Sequence, residues 1–209
     1  MSWRSFCTAL HLTSLGLWAG AVAISGATAA VAFPTLHKME VQLKGLPDAF
    51  QDDAFRFAAG GVAQRVFLIA DILGFVCALI AGVTLLALFF MGAIDRRRPS
   101  SYIRALAYGI ALASLAATLF IVTPGISAAA RDHLRAAKAG DARAAAAARQ
   151  ASADLHPIST NLLVAEVLGA VVALFVGALA ATGTVPESAG RPSASPAYPA
   201  PDLLKRKGA

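Results

Sequence analysis

The sequence predicts an all-α integral membrane protein, a four-helix bundle with an alanine-rich helical hairpin outside the bilayer between helices 3 and 4. Three observations predict this fold. The 209-residue chain is 57% hydrophobic and only 14% charged, with a mean hydropathy of +0.65, whereas soluble domains carry roughly a quarter charged residues. Four apolar runs reach the ~20 residues that a spanning helix needs. A polar, alanine-rich segment separates the last two runs.

The first predicted span covers about residues 10–33 and ends at Pro34. It resembles a signal peptide, but the apolar region of a signal peptide is only about 7–15 residues long, so we interpret the run as a membrane helix. One face has the small-residue spacing that lets a neighbouring helix approach closely, at Gly16, Gly20, Ala23 and Ala27. A second stripe, spaced by three, four and seven residues, contains His11, Ser14, Trp18 and Ser25.

The second predicted span covers about residues 62–94 and follows a polar loop. Within that loop, residues 48–57 alternate phenylalanine with charge, which predicts a short amphipathic helix at the membrane interface. The span itself carries Asp71, on a face that continues through Gly74, Ala78 and Gly82. An acid on a small-residue face is expected to point into the bundle and away from lipid.

The third predicted span covers about residues 103–123, and Pro124-Gly125 is expected to kink or end it. Alanine is the strongest helix former, so the next segment predicts a helical hairpin broken at Gly140-Asp141. The fourth span covers about residues 158–182, which completes a membrane domain over residues 1–183. Residues 184–209 predict a disordered, basic cytoplasmic tail, because their proline, serine and charge cannot build a core.

The short connection between the second and third spans is strongly basic, with Arg96, Arg97, Arg98 and Arg104. Short loops dense in arginine stay cytoplasmic, so this loop and both chain termini are predicted to face the cytoplasm of a bacterial inner (plasma) membrane. The net charge is +6, but no clustered basic face with aromatics is visible, which argues against nucleic acid as a partner. The lipid bilayer is the expected partner.

The fourth span carries Glu166 on a glycine–alanine face. With both termini inside, the second and fourth helices enter from the outer face, and Asp71 and Glu166 sit roughly 12 Å deep. The sequence therefore predicts a buried polar cluster of Arg65, Asp71, Ser159 and Glu166. Neighbouring carboxylates favour a shared proton or a bound cation. An Arg65–Glu166 pair that only fixes helix register and a water pocket without function are the alternatives.

Four histidines are candidate ligands, because histidine is the commonest metal ligand near neutral pH. His37, His133 and His156 fall at the outer ends of helices, whereas His11 lies near the inner surface. Their spacing matches no zinc or copper motif, so the residues alone predict no cofactor. The two cysteines, Cys7 and Cys77, form no disulfide framework.

A series of residues along the chain resembles a known family. His11, Trp18-Ala19-Gly20, Phe33-Pro34 and Leu155-His156, followed by Ser159 and Asn161, are similar to the transmembrane protein 205-like domain family of four-helix membrane proteins. The match covers roughly residues 5–182. That family is distantly similar to copper-resistance D-type and HemJ-type membrane domains, which also begin with a histidine followed by a Trp-x-Gly step. This kinship implies a haem or metal role for His11.

Three functions remain open from the sequence. The first is a small transport or ion-linked membrane protein that uses Asp71 and Glu166. The second is a haem- or metal-binding membrane protein, through His11 or the outer histidines. The third is an accessory subunit that binds other membrane subunits through its small-residue faces and basic tail. An enzyme is not predicted, because no catalytic triad, activated thiol or phosphate cradle is visible.

Overall fold

The computed structural model describes residues 2–94 and 97–183, which contain helices and their connections. The helices are α1 (Trp3–Lys38), α2 (Ala54–Phe90), α3 (Pro99–Ala117), α4 (Thr123–Lys138) and α5 (Ala142–Ala181). A 3₁₀ helix, Asp48–Asp53, precedes α2, and a π-helical turn, Thr118–Val122, joins α3 to α4. The all-α prediction is confirmed for these residues. The predicted tail, residues 184–209, lies outside them.

Within the described residues, four helical rods are long and apolar enough to cross a membrane. They cover Trp3–Lys38, Asp48–Phe90, Pro99–Lys138 and Ala142–Ala181. A rod of 40 residues is about 60 Å long at ~1.5 Å per residue, roughly twice the ~30 Å thickness of a hydrocarbon core. The predicted spans are therefore the apolar parts of longer helices.

The helix continues through Pro34, where the first apolar run ends, whereas at Pro124, expected to kink or end its helix, the α-helix is interrupted by a π-helical turn. α1 continues through Pro34 to Lys38, and its last turn is held by the His37 ring, which packs 4.5 Å from the Phe55 ring. Pro124 lies in the first turn of α4, directly after the π-helical turn. Proline lacks an N–H and crowds the carbonyl four residues earlier; the wider turn accommodates this, so the rod continues.

The predicted break at Gly140-Asp141 is confirmed as the turn between α4 and α5. Gly140 adopts a φ of +72°, which glycine tolerates, and the Asp141 carboxylate accepts a 2.9 Å hydrogen bond from the Ala144 N–H. The alanine-rich hairpin therefore consists of α4 and the first part of α5, which extend the last two rods. The predicted amphipathic segment 48–57 is divided between the 3₁₀ helix and α2, and it packs beside the hairpin in a small core of Leu46, Ala54 and Ala137 with Leu43, Phe50, Phe57 and Leu134.

The main core forms where α1 packs along α2, α3 packs along α5, and α1 contacts α5. Trp18 and Leu15 are its largest fully buried side chains, and alanine supplies most of the rest. Small side chains let the helix backbones approach closely. A Cβ atom at Gly169 would lie 2.6 Å from the carbonyl oxygen of Ala107, so α5 meets the α3 backbone directly at this glycine.

The buried face of α1 is its polar stripe. His11, Ser14, Trp18 and Ser25 are each at most 3% exposed. Ala23 and Ala27 are exposed, and a Cβ atom at Gly20 would meet nothing within 4 Å. Among the described residues, the expected close approach is therefore absent at Gly20, Ala23 and Ala27, because α1 turns His11 and Trp18 toward their partners on the other helices.

Large aliphatic side chains are exposed on the rod surfaces, while some polar side chains are buried. Ile24, Ile69 and Val83 are 66–67% exposed. Among the described residues, the buried polar and charged side chains are those of His11, Ser14, Ser25, Asp71, Thr84, Arg104, Ser114, Thr118 and Glu166.

Candidate functional site

Glu166 is at the centre of a polar contact between three helices. Its carboxyl group is 2% exposed, and its Oε1 accepts a 2.6 Å hydrogen bond from the indole N–H of Trp18. Gly74 of α2 makes room for this pair, because a Cβ atom there would lie 3.2 Å from the Trp18 Nε1 and 3.9 Å from the Glu166 Oε1. The sequence identified Trp18 as part of a stripe but did not pair it with Glu166.

Asp71 lies one helical turn before Gly74, the α2 residue beside the Trp18–Glu166 bond. Its side chain is 9% exposed, and the hydroxyl of Thr123 lies beside it. Asp71 Oδ2 is buried and has no hydrogen-bond partner among the described residues. A buried carboxyl oxygen without a protein partner is able to bind a proton, a cation or a water molecule. Both predicted acids are therefore buried, with Asp71 one turn along α2 from the position that contacts Glu166.

Two predicted members do not join these acids. Arg65 is exposed and forms no ion pair with Glu166 among the described residues, because it projects from α2 on a different side from Asp71. Ser159 is half-buried and makes no hydrogen bond to either acid within that part of the chain. The site is consequently a pair of acids without a neutralising arginine.

A second buried polar contact lies nearer the start of α1, at His11, and its partner Arg104 was not predicted from the sequence. Arg104 is 5% exposed within α3, although its position after an arginine run assigned it to a basic loop. Its Nε donates to His11 Nε2 at 3.2 Å. His11 Nδ1 lies 2.9 Å from the Ala81 carbonyl oxygen, which only accepts, so Nδ1 is the protonated ring nitrogen.

This geometry argues against His11 as a ligand. Both ring nitrogens have protein partners, and Thr84 Oγ1 also lies 3.3 Å from Nδ1. A metal or haem iron needs a free nitrogen lone pair. His11 would have to break its contact with Arg104 to supply one.

The outer histidines are not assembled into a site. His133 packs against Phe57 at 4.7 Å between ring centroids and His37 packs against Phe55, while His156 is exposed. Across residues 2–94 and 97–183, no group of three or more His, Cys, Asp or Glu side chains is placed to hold a metal ion. Within these ranges His37 and His133 make aromatic contacts, and His156 lies at the surface.

Changing His11 to alanine is expected to lower stability without changing metal or haem content. Arg104 would lose its acceptor in the core, and a buried unsatisfied charged donor costs about 1–3 kcal/mol or more. Thermal unfolding, elemental analysis and the absorption spectrum of the purified protein measure both effects. His156→Ala is the exposed control. A metal or a Soret band that disappears only in His11→Ala would contradict this assignment.

The two contacts lie at separate positions along α2. Thr84 and Asp71 are thirteen residues apart, which is about 20 Å at ~1.5 Å per residue, and hydrophobic core residues lie between them. In this interval the Tyr108 hydroxyl donates to the Ala78 carbonyl, and the Tyr108 ring meets the edge of Trp18 with ring centroids 6.3 Å apart.

Comparisons with protein-family models, curated proteins and solved structures find no match for this chain. The resemblance to the transmembrane protein 205-like family therefore remains an expectation from the sequence.

Proposed function

We propose that this chain is a multi-pass membrane protein in which Asp71 and Glu166 bind and release a proton or a small cation, as part of an ion-linked transport process. We place it in a bacterial inner membrane with both termini in the cytoplasm. The observation that carries the proposal is the juxtaposition of two buried acids without an arginine partner.

Membrane insertion is supported by length and by polarity. The four candidate rods each contain a long apolar stretch and expose large aliphatic side chains, while the polar groups His11, Asp71, Arg104 and Glu166 are buried. In water this arrangement would leave a large apolar surface exposed, which soluble monomers avoid. In lipid it is favourable, because the polar groups pair within the bundle.

The function of the acid pair follows from its charge. Two neighbouring carboxylates in a medium of low dielectric are not both stable as anions unless a proton or a cation joins them. The Trp18 N–H holds one oxygen of Glu166, while Asp71 Oδ2 has no partner in the described chain. Binding at that oxygen and release from it would change the buried charge by one, which is the elementary step of ion-coupled transport.

A purely structural role fits the geometry less well. The expected register-fixing pair requires an arginine beside Glu166, but Arg65 is exposed. Uncompensated acids weaken helix packing unless they are neutralised. Their presence on a packed face therefore favours a role in binding.

Glu166→Gln and Asp71→Asn are expected to abolish potential-driven ion uptake. Purified protein would be reconstituted in liposomes, a membrane potential would be imposed with potassium and valinomycin, and entry of protons or Na⁺ would be followed with trapped dyes. Wild-type protein should conduct one of these ions, and both variants should fall to the level of empty liposomes, because each removes an ionisable oxygen from the pair.

Glu40→Gln is the matched control, since Glu40 is an exposed acid in the first connection. It should conduct like the wild type. Wild-type liposomes that conduct neither ion, or variants that fold and conduct normally, would refute the proposal.

The exposed glycine–alanine face of α1 favours a second candidate, an accessory subunit. Ala23 and Ala27 are exposed, and the face offers the spacing of helix–helix contacts in lipid. Purification in mild detergent, followed by identification of membrane proteins lost on Gly20→Leu, tests this candidate.

A further inference from the structure

A cavity of about 310 Å³ lies at the end of the bundle where α2 ends and α3 begins. Its polar wall contains Arg98, Ser100, Ser101 and Arg104. Val176 and Ala180, near the end of α5, supply an apolar wall. The cavity belongs neither to the acid pair nor to the outer histidines.

Arg104 is the most buried charged residue of the polar wall. Arg104 is 5% exposed, and while its Nε is used by His11, its Nη2 is buried without a hydrogen-bond partner within the described ranges. An arginine N–H cannot accept and rarely remains unsatisfied in a protein interior. Arg104 also lines the cavity, so an anion bound there would lie beside a guanidinium that the protein itself does not fully pair.

The start of α3 adds positive potential to the same cavity. Pro99 begins this 19-residue helix, and the side chain of its N-cap residue, Arg98, makes no capping hydrogen bond. The helix dipole favours an anion at such an end. Arg4 also lies at this end of the bundle, where its Nη2 donates 2.7 Å to the Met91 carbonyl oxygen.

The cavity lies at the level of an aromatic belt. Trp3 and Phe6 at the start of α1, Phe90 at the end of α2 and Tyr102 in the first turn of α3 are 44–80% exposed. Exposed aromatic residues clustered at helix ends mark the headgroup region of a bilayer. An anion that reaches this cavity from the membrane would therefore be part of a lipid headgroup.

We propose that this cavity binds the phosphate of an anionic phospholipid, with Arg104 and Arg98 as its charged donors and Val176 and Ala180 against its glycerol and acyl carbons. Guanidinium groups pair with phosphate through parallel hydrogen bonds, and basic pockets between membrane helices bind lipid headgroups. The inference depends on membrane insertion, but it does not depend on ion transport by the acid pair.

Native mass spectrometry of the full-length protein, titrated with short-chain phosphatidylglycerol or phosphatidylcholine, tests the proposal. Wild-type protein should bind phosphatidylglycerol about tenfold more tightly than phosphatidylcholine, as one or two arginine contacts would produce. Arg104→Gln should remove that preference. Ala180→Phe should also remove it, because the ring fills the cavity while every charge is kept.

Arg65→Gln is the matched control, since Arg65 is an exposed arginine distant in sequence from the cavity, and it should retain the preference. Arg98→Gln and Ala180→Phe decide the result if Arg104→Gln does not fold. Glu166→Gln should bind lipid normally, which separates this proposal from the transport proposal.

A second experiment measures thermal unfolding in the presence of inorganic phosphate. If phosphate protects wild-type protein but not Ala180→Phe against thermal unfolding, and phosphatidylglycerol has no advantage over phosphatidylcholine, the ligand is free phosphate and the lipid assignment is refuted. An equal preference for phosphatidylglycerol in wild type, Arg98→Gln and Ala180→Phe would refute the site itself.

Discussion

Replacing Gly169 with alanine is expected to lower the free energy of unfolding by about 1–3 kcal/mol, the usual cost of overpacking a helix interface. The new Cβ atom would lie 2.6 Å from the Ala107 carbonyl oxygen and 3.0 Å from the Ala111 backbone nitrogen. Both obstacles are backbone atoms, so no rotation of a flexible side chain relieves the contact. Unfolding of the purified protein by heat or denaturant in detergent would measure the loss.

Gly20→Ala is the matched control for this substitution. Gly20 is also a glycine within a long helix, but an added Cβ would meet nothing within 4 Å. Alanine has the higher helix propensity, so this variant should be as stable as the wild type or slightly more stable. Equal stability of Gly169→Ala and Gly20→Ala would contradict the direct contact between α3 and α5.

Replacing Trp18 with phenylalanine is expected to cost about 1–3 kcal/mol, because Glu166 would lose its N–H donor in the core. Trp18 is 0% exposed, and its bond to Oε1 is 2.6 Å long. Trp3→Phe removes an indole that is 67% exposed, and this control should leave the unfolding transition almost unchanged.

A double-mutant cycle would show whether the Trp18 bond depends on the acid. In the Glu166→Gln background, a neutral oxygen replaces the carboxyl oxygen, and hydrogen bonds to neutral acceptors are roughly half as strong as those to charged ones. Trp18→Phe should then cost about 1 kcal/mol less. The same cost in both backgrounds would indicate a bond that does not respond to the charge on Glu166.

Much of the helical architecture could be predicted from local patterns. The four rods, the turn at Gly140-Asp141 and the inward direction of Asp71 all follow from hydrophobic run length, a breaker pair and helical periodicity. The polar stripe of α1 was visible for the same reason. These features depend on residues close together in sequence, whose relative positions a helix fixes.

The site was predicted only in part, because its contacts join residues on different helices. Asp71 and Glu166 could be identified from the sequence because each is an acid within an apolar run. Trp18 and Glu166, however, are separated by 148 positions, and no sequence pattern indicates that this indole and this carboxyl are in contact. Arg104 was assigned to a loop because its charge follows three other arginines. In the structure Arg104 is instead a buried residue of α3, where its Nε donates a hydrogen bond to the buried His11.

The sequence by itself determined that this chain forms long apolar helices with a few ionisable groups inside them, because composition and period are properties of each helix alone. The tertiary structure decided which face of α1 is buried, which helices meet, and which partners those groups find. In the tertiary structure Arg65 is exposed and does not join the two acids. Both ring nitrogens of His11 have protein partners, whereas Arg104 Nη2 has no hydrogen-bond partner among the described residues. Such choices depend on backbone approach at positions such as Gly74 and Gly169, where the absence of a side chain determines how helices fit together.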